Sequence, residues 1–266
     1  MYRLLLTVVY NLTILYCFAD TSLYRAIYDF EYVTDSIQNI RRNDCLYLDL
    51  NINQSLCYSK NTYQYDSLMS TPTGSKIWEE LFNKAIDQEG YKATSFPKKR
   101  TKFKILKDWV KGIARIQDEI NLDKYEYEDS LNQIHWNICD SISSIAGYEV
   151  SLAIGYFHGR TWKVWFTTEL PWQDGPWMLA GLPGLIIKAS DTSNLYSFNL
   201  TGFRKCETFP YYWDNDTKKT NRKDFLKNKY KSSINSINMF NTELGTSVSN
   251  KKSTRYLDGL EPDFKH

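Results

Sequence analysis

The stretch "YEVSLAIGYFHGRTWKVWFTTEL" (148–170) constrains the fold more than any other part of the chain. Two alternating runs flank His158-Gly159, and a two-residue loop between strands needs positive φ at both positions. Glycine adopts that conformation freely, and histidine tolerates it better than most side chains. A hairpin closed there sets Phe157 opposite Arg160, Gly155 opposite Trp162, Ala153 opposite Val164 and Ser151 opposite Phe166. The other face pairs Leu152 with Trp165 and Ile154 with Lys163. Large side chains stand across from small ones, so the aromatic rings can lie over a neighbouring strand. Such a ribbon commits the chain to an antiparallel sheet. As a turn residue, His158 is set aside as a catalytic candidate.

A second ribbon follows. With residues 191–194 as its loop, Ala189 faces Tyr196, Ile187 faces Phe198 and Leu185 faces Leu200, while Lys188–Ser197 and Ile186–Asn199 take the other side. This separation of apolar from polar is what a sheet with one packed face requires. Between the ribbons, "PWQDGPWMLAGLPG" (171–184) is rich in proline and glycine. Leu182-Pro183-Gly184-Leu185 has the chemistry of a type II turn, and Pro183 pushes Leu182 toward an extended conformation. Asp174-Gly175-Pro176 marks an earlier bend. The bends fix a path that holds Trp177, Met178 and Leu179 where a flexible loop could not.

"GLPGLI" at 181–186, preceded by "DGPW" and "FHGRTWKVWFTTELP", resembles the GLPGLI family, exported proteins of Bacteroidota without an assigned activity. The likeness covers roughly residues 136–205. Typical members carry a cysteine-containing "GYKC" where this chain reads Gly147-Tyr148-Glu149-Val150, so the resemblance supplies no shared disulfide. The family is similar, more weakly, to the bowl-shaped N-terminal module of some bacterial peptide-N-glycosidases and to the half-barrel sheets of lipoprotein carriers. These are analogies of fold and leave function open.

The rest of the chain fits a mainly β (α+β) class: a curved antiparallel sheet or half-barrel with one or two packed helices. "YRAIYDFEYV", "CLYLDLNI" and "QSLCYS" read as strands. Ile77, Trp78, Leu81, Phe82, Ala85 and Ile86 repeat at helical spacing, with Gly90 at the C-terminal cap position. "TKFKILKDWVKGIARIQDEI" reads as strand with a turn at Lys111-Gly112. The six carboxylates between Asp118 and Asp129 lack EF-hand spacing and read as a solvated strand edge. Leu226, Tyr230, Ile234 and Ile237 suggest a last helix whose charged outer face takes the lysines from Lys218 to Lys231.

Arg3, an apolar run from Leu4 to Phe18 and the small residues of Cys17-Phe18-Ala19 read as a signal peptide cut after Ala19. Residues 20–266 would then form a single exported domain, periplasmic or associated with the outer membrane. No further stretch approaches the roughly 20 apolar residues of a spanning helix, so none is expected in the mature chain. The chain carries 33 basic and 31 acidic residues. That near-balance gives no electrostatic case for nucleic acid.

Cys45, Cys57, Cys139 and Cys206 remain after processing, either as disulfides or as buried thiols. Cys45–Cys57 is the easiest pairing, since the two flank a hairpin through Asn51. Their spacings match no zinc motif, and only His135 and His158 lie inside the fold, so no metal or other cofactor is expected.

The function expected on these grounds is a non-enzymatic binding or scaffold protein of the cell envelope. Its partner would be an apolar or glycan ligand, or another envelope protein. Trp162, Val164 and Phe166 would line the sheet, and the candidate ligand-binding residues are Trp165, Trp172, Trp177, Met178 and Leu182. Either they rim an open concavity or they form a plug that fills the end of the sheet, and the plug is the favoured reading. One alternative is an accessory of an outer-membrane transport or secretion system, acting through a strand edge. Another is a glycan-related hydrolase. The chain has no Gly-x-Ser-x-Gly, no His-Glu-x-x-His and no phosphate loop, leaving Glu169 and Asp174 as the acid–base pair to consider.

Overall fold

A computed structural model describes residues 23–36, 38–131, 133–206, 213–244 and 259–265, excepting the side chains of Lys92, residues 235–244 and Lys265. The expected signal peptide and the side chain of Ile237 lie outside the described residues. Among the described residues, twelve strands and three α-helices succeed one another: β1 (Leu23–Asp35), β2 (Ile40–Leu50), β3 (Gln54–Ser59), α1 (Lys60–Met69), α2 (Gly74–Glu89), β4 (Lys104–Asp108), β5 (Ile113–Ile120), β6 (Asp123–Ser130), β7 (Asn137–Ile145), β8 (Tyr148–Phe157), β9 (Arg160–Thr167), β10 (Leu185–Asp191), β11 (Tyr196–Cys206), β12 (Lys218–Lys219) and α3 (Arg222–Leu244).

The strands form one open sheet in the order β12-β6-β5-β4-β3-β2-β1-β11-β10-β9-β8-β7. Two antiparallel meanders, β1 to β6 and β7 to β11, are joined where β1 pairs with β11, with Phe30 opposite Phe198. Among the described residues, only the short β12–β6 pairing is parallel. The class read from the sequence, a mainly β fold with packed helices, is the one observed. No helix among the described residues is long and apolar enough to cross a membrane.

The sheet is strongly curled. β6 and β8 stand near opposite ends of the strand order, yet His158 Nε2, in the β8–β9 turn, lies 2.9 Å from Asp129 Oδ2 on β6. The 171–184 segment crosses the inside of the curl. There Trp177, Met178, Leu179 and Leu182 are all buried. Trp177 packs its ring 5.5 Å from those of Trp162 and Phe157. The rigid bends thus place a large apolar plug against the inner face.

All six cross-strand pairs expected for the first hairpin are present, and His158 and Gly159 have φ of 49° and 85°. The second hairpin differs by two residues: Ala189 faces Phe198 and Lys188 faces Asn199. The Asp191 carboxylate accepts the N–H groups of Leu195 and Tyr196 at 2.8 Å each, which keeps Asp191 in the strand and moves the loop on. A slip of two preserves the facing of every side chain. Ile187 and Phe198 are both fully buried.

Three further expectations are corrected. The Pro183 bend is a three-residue turn, Gly184 N–H to Leu182 O at 2.8 Å, because Leu185 N–H is drawn to Leu170 O at 3.0 Å. Cys45 and Cys57 cannot pair in this geometry. Cys57 lies opposite Leu48 and shares its face, whereas Cys45, three residues along β2, points to the other face; all four cysteines are free thiols. The stripe of α2 packs on the irregular segment that follows it rather than on the sheet. Trp78 and Phe82 close on Phe96, the Trp78 indole donates to Pro97 O, and Ile77 and Leu81 stay about 40% exposed.

The carboxylate run of β5 and β6 is not a solvated edge either. Of the six, only Asp123 and Glu128 are exposed. The segment around β12 covers this flank, and buried Glu126 accepts hydrogen bonds from Lys219, Gln117, Arg115 and the Trp213 indole. Burial works against its charge, but those donors outweigh it and hold its pKa at about 2.

Candidate functional site

The inner face carries the site. Ile105, Ile116 and Tyr127 lie in one cross-strand row on β4, β5 and β6 and therefore point the same way. With Phe30 of β1, Tyr196 of β11 and the plug's Trp177, they form the floor of a cavity of about 460 Å³. That volume lies within the range of small-molecule sites, roughly 300–1,000 Å³.

α3 and the turn at 259–265 form the roof. Asn221 Oδ1 accepts the Asp224 N–H at 2.9 Å and caps the start of α3. One turn on, Phe225 is 1% exposed and packs 5.3 Å from Tyr127. Leu226 and Tyr230 continue the stripe into the cavity wall. Lys229 pairs with Asp118, fixing the helix to β5. Tyr230 meets Phe264 at 5.8 Å, which ties the helix to the turn.

Charge fixes the turn. Arg222 bonds Glu261 and Asp263 at 2.5 Å each, and Arg160 donates to the carbonyls of Gly259 and Leu260 at 2.5 and 3.2 Å. His158 lies between Asp129 and Asp263, at 2.9 and 3.5 Å. Burial disfavours its imidazolium, yet the two carboxylates outweigh burial and raise its pKa above the ordinary 6.5. His158 and Gln133 hold Asp129, and His158 and Arg222 hold Asp263, below the usual carboxylate range, against burial. His158 is thus a turn residue whose ring bridges two carboxylates, Asp129 and Asp263. Among the described residues, no three His, Cys, Asp or Glu side chains converge as metal ligands.

A separate polar cluster lies under the plug. Lys107 of β4 bonds Asp174 and the Gly175 carbonyl, the latter at 2.8 Å. Tyr28 donates to Ile186 O at 2.7 Å, and the Trp177 N–H approaches Cys57 Sγ at 3.4 Å. Burial pushes the Cys57 thiol up to about 11, which suits packing rather than nucleophilic chemistry. Glu169 stands apart from this cluster. It is exposed and accepts the Glu149 N–H at 2.8 Å, so the structure gives Glu169 and Asp174 no common site.

Of the five candidate ligand residues, Trp177 lines the cavity, at 2% exposure and with φ of 55°. Met178 and Leu182 are buried in the core beside it. Trp172 is half-buried against Tyr24 and Phe203, and Trp165 lies opposite Leu152; neither belongs to the cavity. Sequence reasoning missed the roof. Leu226 and Tyr230 were legible as a helical stripe, but nothing in the stripe says that it covers a void. Phe103 and Leu260 stand in irregular segments and Phe264 in a single 3-10 turn, with no periodicity to mark them.

No family model matches the chain, and no curated protein matches it. Among solved structures it is similar to PNGF-II in two crystal forms, of space groups C2 and P21. Each superposes with a TM-score of 0.52 at 14% identity and covers 79% of this chain. The chain spans about a third of the length of those structures, 33% and 34%. At that identity the likeness is one of fold.

Proposed function

We propose that the protein is a binding protein of the cell envelope that holds a small, mainly apolar ligand between the curled sheet and α3. One observation carries this reading: a cavity of about 460 Å³ whose walls are chiefly apolar and rich in aromatic side chains, and whose roof is a single helix and a short turn. Natural cores are packed without voids of this size, so an aromatic cavity is a reason to expect an occupant. The signal-peptide reading of the N-terminus supports export, and the resemblance to the GLPGLI family supports an envelope location.

The test is native mass spectrometry of protein purified from its source envelope without detergent. A bound mass is expected on the wild-type chain and not on Leu226→Trp, which fills the cavity from α3. Equal spectra would contradict the reading. The same sample tests export, since the mature chain should begin at Asp20. The resemblance to the bowl-shaped glycosidase module supports a glycan as the second ligand class for this cavity.

A further inference from the structure

Charge is distributed unevenly between the cavity's wall and its mouth. Asp118 and Glu261, the carboxylates of the wall, are buried, and each is held by a cation: Asp118 by Lys229, Glu261 by Arg222. The half-exposed residues at the mouth are different. Arg100 and Lys102 line the cavity there, just outside β4. Arg100 donates from Nη1 to Asn43 O at 3.1 Å, which sets it beside Arg42. Lys98 belongs to the same corner, where burial and the charges of Arg100 and Arg42 lower its pKa. Lys102 has a carboxylate partner, Glu119, at 3.3 Å, but that side chain is shared with Lys99.

Granted the reading of the cavity as a ligand site, we infer that its ligand is a single-chain amphiphile with an anionic head, its tail on Phe30, Ile116, Tyr127 and Phe225 and its head at Arg100 and Lys102. The floor offers such a tail apolar walls, whose removal from water favours binding. The mouth offers the head two cations in fork and ammonium form, the donors suited to carboxylate, sulfate or phosphate. A cationic head would meet like charges there. To reach Asp118 or Glu261 it would have to displace Lys229 or Arg222 from the carboxylate each already holds.

The experiment compares three probes that share a tail: decanoate, decanol and decyltrimethylammonium, each titrated calorimetrically below its micelle concentration. The wild-type chain should bind decanoate at least about tenfold more tightly than decyltrimethylammonium, a preference that shrinks as salt screens the mouth. Arg100→Gln with Lys102→Gln should abolish that preference and leave decanol binding unchanged, which also shows that the variant is folded. Decanol binding with no preference for decanoate would overturn the anionic head and leave the cavity reading intact. An unchanged preference in the double variant would overturn the role of these two residues. Failure of all three probes to bind would overturn the cavity reading itself.

Discussion

Lys107 Nζ on β4 and Asp174 Oδ1 in the plug meet at 2.5 Å with both side chains almost wholly out of water. This pair ties the segment that fills the curl to the sheet that makes it. Removing one partner strands a buried charge, whereas removing both leaves two apolar surfaces.

Lys107→Met and Asp174→Leu should therefore each destabilise the fold by about 3–5 kcal/mol, and the double substitution should cost clearly less than their sum. Urea unfolding of the four chains gives the cycle. Additive losses would show that the two residues do not act as a pair.

Gly184 is required by a close approach rather than by a type II turn. A Cβ there would lie 2.0 Å from the Thr167 carbonyl oxygen, whereas one at Gly112 would meet nothing within 4 Å. Gly112→Ala should cost about 1–2 kcal/mol, the strain of an L-residue at φ of 70°. Gly184→Ala should exceed it, at about 3 kcal/mol or more, since backbone must move. Denaturant midpoints of the two variants decide, and equal shifts would remove the argument.

His158 makes stability depend on pH. Its folded pKa is raised, so its contribution is complete below the unfolded value of 6.5 and is lost as pH rises through the folded value. The groups facing it are Asp129 on β6, Glu261 and Asp263 in the final turn and Arg222 on α3. Asp129 and Asp263 have lowered pKa values, so their contribution is present above the ordinary carboxylate range and fades in acid. Unfolding free energies measured from pH 5.5 to 8.5 should fall with pH in the wild-type chain more than in His158→Gln. Parallel curves would contradict the assignment of that slope to this ring.

How much of this was legible in the sequence follows from how local each determinant is. The 148–167 hairpin was, down to its register, because alternation and His158-Gly159 act within twenty residues. The second register was not, because three side-chain hydrogen bonds of Asp191 decide it rather than any pattern of hydrophobicity. The burial of Glu126 depends on Trp213 and Lys219, about ninety residues away. The site is the least local feature of all. Phe30, Ile116, Trp177, Phe225 and Phe264 share a wall only because the sheet curls and α3 closes over it.

The central claim is that this wall encloses a ligand site, and fluorescence tests it most directly because Trp177 lines the cavity. Titration with anilinonaphthalene sulfonate should show saturable binding of one probe per chain, with tryptophan emission lost by energy transfer to it. In Leu226→Trp the binding should disappear while the circular dichroism of the sheet is retained. Equal binding by both chains would place the probe elsewhere and contradict the account.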